Sequence, residues 1–252
     1  MTMGRADRLR RPRPRPHLPR TDIMSTSAEQ PERAAFVRAE GVLVSRGVLS
    51  AVAYMAAHRP GFRERGLRLL QTATAAPLFA ALGQRDRALG NRIAHLPLRD
   101  MSEDRIAVLA EEYVEDILRD KVLDTGVELL RRLRREGFHV VVLCEGIDEV
   151  MGRLVRSLEV ADDVHANRLE YKNGRATGKL EDPVLGGYEG GRFVRDYAAE
   201  RGLDLARCRA YASKGPDIVL LSAVGEPCAV NPDYTLRKAA READWPVMDY
   251  PA

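Results

Sequence analysis

The sequence has few cysteines, no long apolar run and none of the short signatures that announce a chemistry at once. Cys144, Cys208 and Cys228 are odd in number and lack metal-ligand spacing, which argues against a disulfide framework and for a reducing setting. No stretch approaches the ~18 uninterrupted apolar residues of a membrane span. The most apolar segment, Ala73 to Leu82, is short and broken by Thr74 and Pro77. The arginine-rich start runs into proline and polar residues instead of an apolar stretch, so no secretory signal is expected and a cytoplasmic setting is. Glycine-rich phosphate loops and nucleophile elbows are also missing. His17, His58, His95, His139 and His165 are scattered and read as surface or strand-end residues, not ligands.

What is present begins with an uneven charge. The 252 residues carry 40 Lys and Arg against 37 Asp and Glu, a formal +3. Residues 1–20 hold seven arginines and one aspartate, a net +6, so the remainder is at −3. An acidic body with a basic tail lacks the distributed basic face of a specific nucleic-acid binder. The stretch RRPRPRPHLPR alternates Arg with Pro and supplies no apolar face, so residues 1–33 are expected to form a disordered basic tail. Met24 is an alternative start for the chain, and a translated tail would meet phosphates or anionic lipid through counterion release. A hydrophobic fraction of 45% and a charged fraction of 31% suit a globular protein of one large domain, or a domain with an insertion.

Order is expected from Ala34, where AAFVR reads as a buried strand entering a loop at Glu40 and Gly41. A long helical region follows from about Val48 to Lys121. Its clearest piece is SEDRIAVLAEEYVEDILRD, with Ser102 as the cap, Glu103 and Asp104 at the positive end, and Ile106, Leu109, Tyr113, Ile117 and Leu118 on one face. The helix GVELLRRLRREG stops at Gly137 and the apolar run FHVVVLC follows, an order typical of a parallel αβ unit. Ile147 to Leu158 reads as a helix. NRLEYKNGRATGKLE has two alternating arms around Asn173-Gly174, a hairpin signal. Helix, strand, helix, strand, helix then follow at 192–201, 209–212, 218–224, 227–230 and 234–244. The fold class is therefore α/β, with a Rossmann-like, mostly parallel sheet and a helical cap inserted after the first strand. Residues 34–47 and 122–252 form the core and residues 48–121 the cap. In the cap, Leu67, Leu69, Leu70, Leu78, Phe79 and Leu82 read first as internal packing and second as a surface for a partner or membrane.

Ligands bind at the carboxyl ends of such strands, so the informative places lie after AAFV, after VVVL, near Gly190 and after RAY. With a helical insertion after the first, these places resemble the haloacid dehalogenase superfamily, in the branch of phosphoserine phosphatase. The likeness spans about residues 34–250. It is carried by NRLEYKNGRATGKL, by RGLDLARCRAYASKGPDIVLLSAVGEPCAVNPDYTLRKAARE and by the terminal WPVMDY. The resemblance implies a phosphatase with an aspartate nucleophile in DxDGT, a second aspartate as acid/base, a Ser or Thr donor, a phosphate-binding Lys, and GDxxxD carboxylates holding Mg²⁺.

This chain departs at nearly every one of those positions. DxDGT has become Arg38-Ala39-Glu40-Gly41-Val42. A guanidinium has no lone pair to offer phosphorus, so Arg38 removes the covalent step, and Glu40 keeps a carboxylate with one more methylene. Cys144 replaces the hydroxyl donor with a weak one, and Glu145 beside it brings negative charge. Gly190 or Gly191 stands at the lysine position, with Arg192 adjacent. GDxxxD reads Ala212-Ser213-Lys214-Gly215-Pro216-Asp217, so Asp217 is the retained family ligand. Mg²⁺ usually needs a pair of carboxylates, so no metal and no cofactor are expected. A buried Arg38 needs a countercharge, which predicts an ion pair with Asp217 or Glu40. The expected function is that of a catalytically impaired phosphatase-fold protein that binds an anionic small molecule or a protein partner, with Arg38, Lys214 and Arg192 as binding candidates. The alternative is a divergent phosphatase or hydrolase acting on a small phosphomonoester through Glu40, Cys144 or Asp217.

Overall fold

The computed structural model describes residues 33–58, 61–82 and 86–250. The expected tail lies outside the described residues apart from Arg33, as do Met24 and the side chain of Leu82. The first strand, β1 (Ala34–Arg38), is buried along its whole length because both of its faces are covered. Ala35 and Val37 point into one apolar cluster, and Ala34 and Phe36 into another on the opposite face of the sheet. This alternation makes a central strand out of a continuous apolar run.

Six strands form one sheet. β2 (His139–Ile147) and β6 (Arg209–Ala212) flank β1, with β3 (Asp163–Asn167) beyond β2, and β7 (Glu226–Val230) and β8 (Val247–Met248) beyond β6. All of these pairings are parallel. On one face pack α5 (Asp124–Arg135), through Val127, Leu129, Leu130 and Leu133, and α6 (Arg153–Ser157), through Leu154 and Val155. The opposite face takes α7 (Tyr188–Arg201), α8 (Ile218–Leu221) and α9 (Tyr234–Glu242). The expected α/β class therefore holds. The order diverges from β1, towards β2 on one side and β6 on the other, which opens a crevice at the carboxyl end of β1.

Most elements lie within a few residues of where the sequence pattern places them, and two strands carry no strand pattern. β3 is a polar edge segment, DVHAN, and β8 is two residues long, so neither shows a strand period. The helix expected over 218–224 is shorter, with a tight 3₁₀ turn over Gly215–Asp217 before it. Strand β2 runs past Cys144 through an irregular step to Ile147.

Between β1 and β2 the chain forms α1 (Val48–Ala57), α2 (Phe62–Leu82), α3 (Arg87–His95) and α4 (Glu103–Tyr113) ahead of α5. Ser102 caps α4 by accepting from Arg105 N, as its sequence indicates. The hairpin of β4 (Leu169–Lys172) and β5 (Arg175–Leu180) turns at Asn173 and Gly174, both at positive φ. It is tied by backbone to this helical stretch: Asp100 N donates to Ala176 O, Ala176 N to Met101 O and Glu103 N to Gly174 O. One expectation holds only in part here. Phe79 packs against the core, but Leu67, Leu69, Leu70 and Leu78 of α2 are 38–62% exposed, so they are not core packing. Helical spacing puts Leu67, Leu70 and Leu78 on one stripe, and no described element covers it.

Candidate functional site

Arg38 ends β1 and is 1% exposed. Its Nε donates to Asp217 Oδ1 at 2.9 Å. Nη2 lies 2.8 Å from the same oxygen but off the hydrogen-bonding direction, so Nη1 and Nη2 have no acceptor among the described residues. Asp217 closes the 3₁₀ turn before α8 and is 2% exposed. Burial pushes its carboxyl up, against the downward pull of Arg38. The ion pair anticipated from sequence is thus formed, with Asp217 as the partner. Gly190 makes room for it, since a Cβ there would lie 2.6 Å from Arg38 Nη2. The guanidinium of β1 therefore fills the space beside the helix position where the family resemblance places a lysine.

Glu40 turns back onto the end of β2. Its Oε1 accepts from Glu145 N and Gly146 N, both at 2.9 Å, while Oε2 is buried without a partner. Burial, reinforced by the nearby Glu145 carboxylate, raises Glu40 to about 7; the two N–H donors and Arg38 oppose that rise. Gly41 follows at φ 89, and a Cβ on it would meet Ser213 Cβ at 2.6 Å, so only glycine lets the β1 loop lie against the end of β6.

The residue that motif reasoning did not find is Arg87. It opens α3 and reaches down to Glu145, its Nε lying 2.9 and 2.8 Å from the two carboxylate oxygens and its Nη2 2.6 Å from Oε2. Glu145 is 3% exposed. Asp86 before Arg87 accepts from Leu89 N and so marks the helix start, a signal the sequence carried; nothing local marks the partner 58 residues on. Asn167 of β3 holds the floor, donating to Glu145 O at 2.7 Å and accepting from Leu185 N at 2.7 Å.

The remaining candidates take different places. Cys144 is wholly buried, and burial followed by the Glu40 charge pushes its thiol well up, so it stays protonated. Ser213 is buried and its hydroxyl donates to Asn231 O. Lys214 is exposed and lies along Gly41. Arg192 is 61% exposed and pairs with Glu189 and Asp196 of its own helix, so it is a solvated helix residue and is not brought to Arg38. The site is also not the cationic pocket expected from Arg38, Lys214 and Arg192. Its inward charges are the carboxylates of Glu40, Glu145 and Asp217 against the guanidiniums of Arg38 and Arg87.

A Mg²⁺ ion does not fit these residues. Asp217 is committed to Arg38, one oxygen of Glu40 to two backbone donors and Glu145 to Arg87, and a guanidinium stands among them. No group of three His, Cys, Asp or Glu suited to a metal occurs among the described residues. Outside this network lies a cleft of about 650 Å³, lined by Arg87, Leu89 and Arg92 of α3, Gly187 and Tyr188 at the entry to α7, and Pro216.

A parallel sheet with buried charges gathered where β1, β2 and β6 end defines an α/β protein with a strand-end crevice. The haloacid dehalogenase-like hydrolase family model matches residues 43–220, and the chain belongs to that family, in its phosphoserine phosphatase-like branch. The chain is 32% identical to phosphoserine phosphatase SerB1 of Mycobacterium tuberculosis over 175 residues, 68% of this chain and 56% of that protein. It therefore spans little more than half the length of that relative. It is 28% identical over 223 residues to the inhibition of morphological differentiation protein of Streptomyces azureus, covering 87% of this chain and 79% of the other. Among solved structures it shares its fold with a protein of unknown function from Bordetella pertussis Tohama I. The TM-score there is 0.72 at 21% identity, over 86% of this chain and 98% of the other. A phosphoserine phosphatase in apo form aligns with TM-score 0.61 at 19% identity, over 82% and 90% of the two chains.

Proposed function

We propose that this chain keeps the phosphatase fold without phosphoryl transfer and works by binding a ligand or a protein partner at the crevice where the strands end. The observation that carries this reading is Arg38. It stands at the position the family resemblance gives to the nucleophile, is buried, and is paired to Asp217. A covalent route needs a carboxylate or another lone-pair donor facing phosphorus, and a guanidinium supplies none. Cys144 cannot replace it as a thiolate, because its burial beside Glu40 favours the neutral thiol. The phosphoserine phosphatase names of the relatives choose the probe. Incubated with phosphoserine or a generic phosphomonoester and Mg²⁺, the protein is expected to release no phosphate. Turnover abolished by Glu40→Ala would overturn the reading and favour a divergent phosphatase. A second assay asks what lies behind the lost set: Arg38→Asp with Glu40→Asp, Cys144→Ser and Ser213→Asp restores the family pattern at four positions. Mg²⁺-dependent phosphatase activity in that variant is the expected result if a substrate pocket persists. Three buried, free cysteines support the reducing, cytoplasmic setting read from the sequence.

A further inference from the structure

Glu145 follows Cys144 directly, so its side chain leaves β2 at the point where the family resemblance places the phosphoryl group. It turns inwards. Arg87 takes both of its oxygens from the α3 side. A Cβ on Gly186 would lie 3.3 Å from Oε1, so the glycine backbone leading into α7 closes a second side. Arg38 adds its positive field from the end of β1, with two of its nitrogens lacking acceptors. Glu40 and Asp217 stand close enough to repel a further anion, so the two guanidiniums hold one oxyanion here against that repulsion, and the anion present is the chain's own. Arg87 also lines the outer cleft, where its guanidinium carbon sits 4.5 Å from the Phe79 ring centroid. An anion arriving through the cleft meets Arg87 and Arg92 on its wall, and Arg87 is the one that reaches Glu145.

We propose that Glu145 is a built-in occupant of an oxyanion site, that its pairing with Arg87 holds α3 closed over the strand ends, and that an external phosphoryl-bearing ligand enters by displacing it. This deepens the binding reading above and rests on it. A tethered carboxylate competes at a high effective concentration, so free inorganic phosphate is excluded from the wild-type protein. A ligand that succeeds carries a phosphoryl group on a body that makes further contacts in the cleft.

The test uses the full chain, inorganic phosphate as the probe, calorimetric titration, and hydrogen exchange of the α3 amides. Glu145→Gln keeps the shape and removes the competing charge. Phosphate binding is then expected to tighten by on the order of tenfold or more relative to wild type, with α3 exchanging faster without phosphate and protected again with it. Arg87→Gln breaks the same pair from the other side, so α3 loosens but no gain in phosphate binding follows, because the cation is gone. Should Glu145→Gln fail to fold, Glu145→Asp shortens the reach and keeps the charge; faster α3 exchange with a smaller gain in phosphate binding is then expected. Phosphate binding no tighter in the Glu145 variants than in wild type, an equal gain in Arg87→Gln, or unchanged α3 exchange overturns the proposal. Hydrolysis of phosphoserine by the wild-type protein would overturn the binding reading and this proposal with it, whereas the failures named above overturn the proposal alone.

Discussion

Arg38 brings a permanent positive charge to a place where burial tolerates it only with a partner. Asp217 supplies that partner through Nε, and Gly190 supplies the room. Taking two charges out of water costs about as much as their attraction returns, so the pair matters more for what its breaking exposes than for net stability. Asp217→Asn should therefore destabilise the fold by about 3–5 kcal/mol in urea denaturation, the cost of an unpaired buried guanidinium. The double replacement Arg38→Met with Asp217→Leu should recover most of that loss. A double variant as unstable as the single one would show that the pair itself, and not the stranded charge, holds this end of the sheet. The sequence made a countercharge for Arg38 legible, as Asp217 or Glu40, because a cation in a strand-end core position demands a carboxylate, and left open which of the two supplies it. Glu145 and Arg87 were not legible in the same way. Nothing near Arg87 in the chain marks it as different from the other arginines, and only the docking of α3 brings it to β2.

At the scale of elements, α1 and α2 show why spacing does not by itself identify a core face. Val48, Val52 and Met55 of α1 are buried in the main cluster, whereas Leu67, Leu70 and Leu78 of α2 stand in solvent at equally good helical spacing. Periodicity reports that a face is apolar, not that anything lies against it. Leu67→Ser and Leu70→Ser should each change stability by less than about 0.5 kcal/mol, whereas Met55→Ala should cost about 2–5 kcal/mol. Parallel thermal melts of the three variants measure this, and a leucine variant as damaging as Met55→Ala would mean that α2 is covered. Hairpin β4–β5 was readable because Asn173-Gly174 suits the positive φ that its tight turn requires. Strand β3 was not, because an edge strand with polar side chains carries no alternation to read.

The whole molecule joins these charges through its stability. Glu40 is raised from an ordinary 4.5 to about 7, so the fold favours its protonated form. Its contribution is fully present below about pH 4.5 and is lost as pH rises through 7. His95 is 1% exposed and lowered from 6.5 to about 4 by burial, so its contribution runs the other way, present above 6.5 and lost as pH falls towards 4. The two slopes oppose each other in mildly acidic solution, and Glu40→Gln separates them. Across the window from 4.5 to 7, wild type should lose stability relative to Glu40→Gln, by on the order of 3 kcal/mol, in denaturant titrations at each pH. A flat difference would mean that Glu40 is ionised in the fold as readily as in the unfolded chain. What the sequence by itself determined about this protein is the α/β order, the central apolar strands and the hairpin, each a matter of residue type, local period or spacing; that Arg38, Cys144 and Ser213 stand where the family resemblance places nucleophile, donor and metal carboxylate comes from the resemblance and belongs to the proposed function. Only the tertiary structure decided that Asp217 and not Glu40 neutralises Arg38, that Arg87 meets Glu145, that Lys214 and Arg192 stay outside, and that the α2 leucines remain uncovered. The physical reason is that a countercharge or a covered face is set by which distant segments share one volume, and that is decided when the sheet, its crevice and the helices above it pack together.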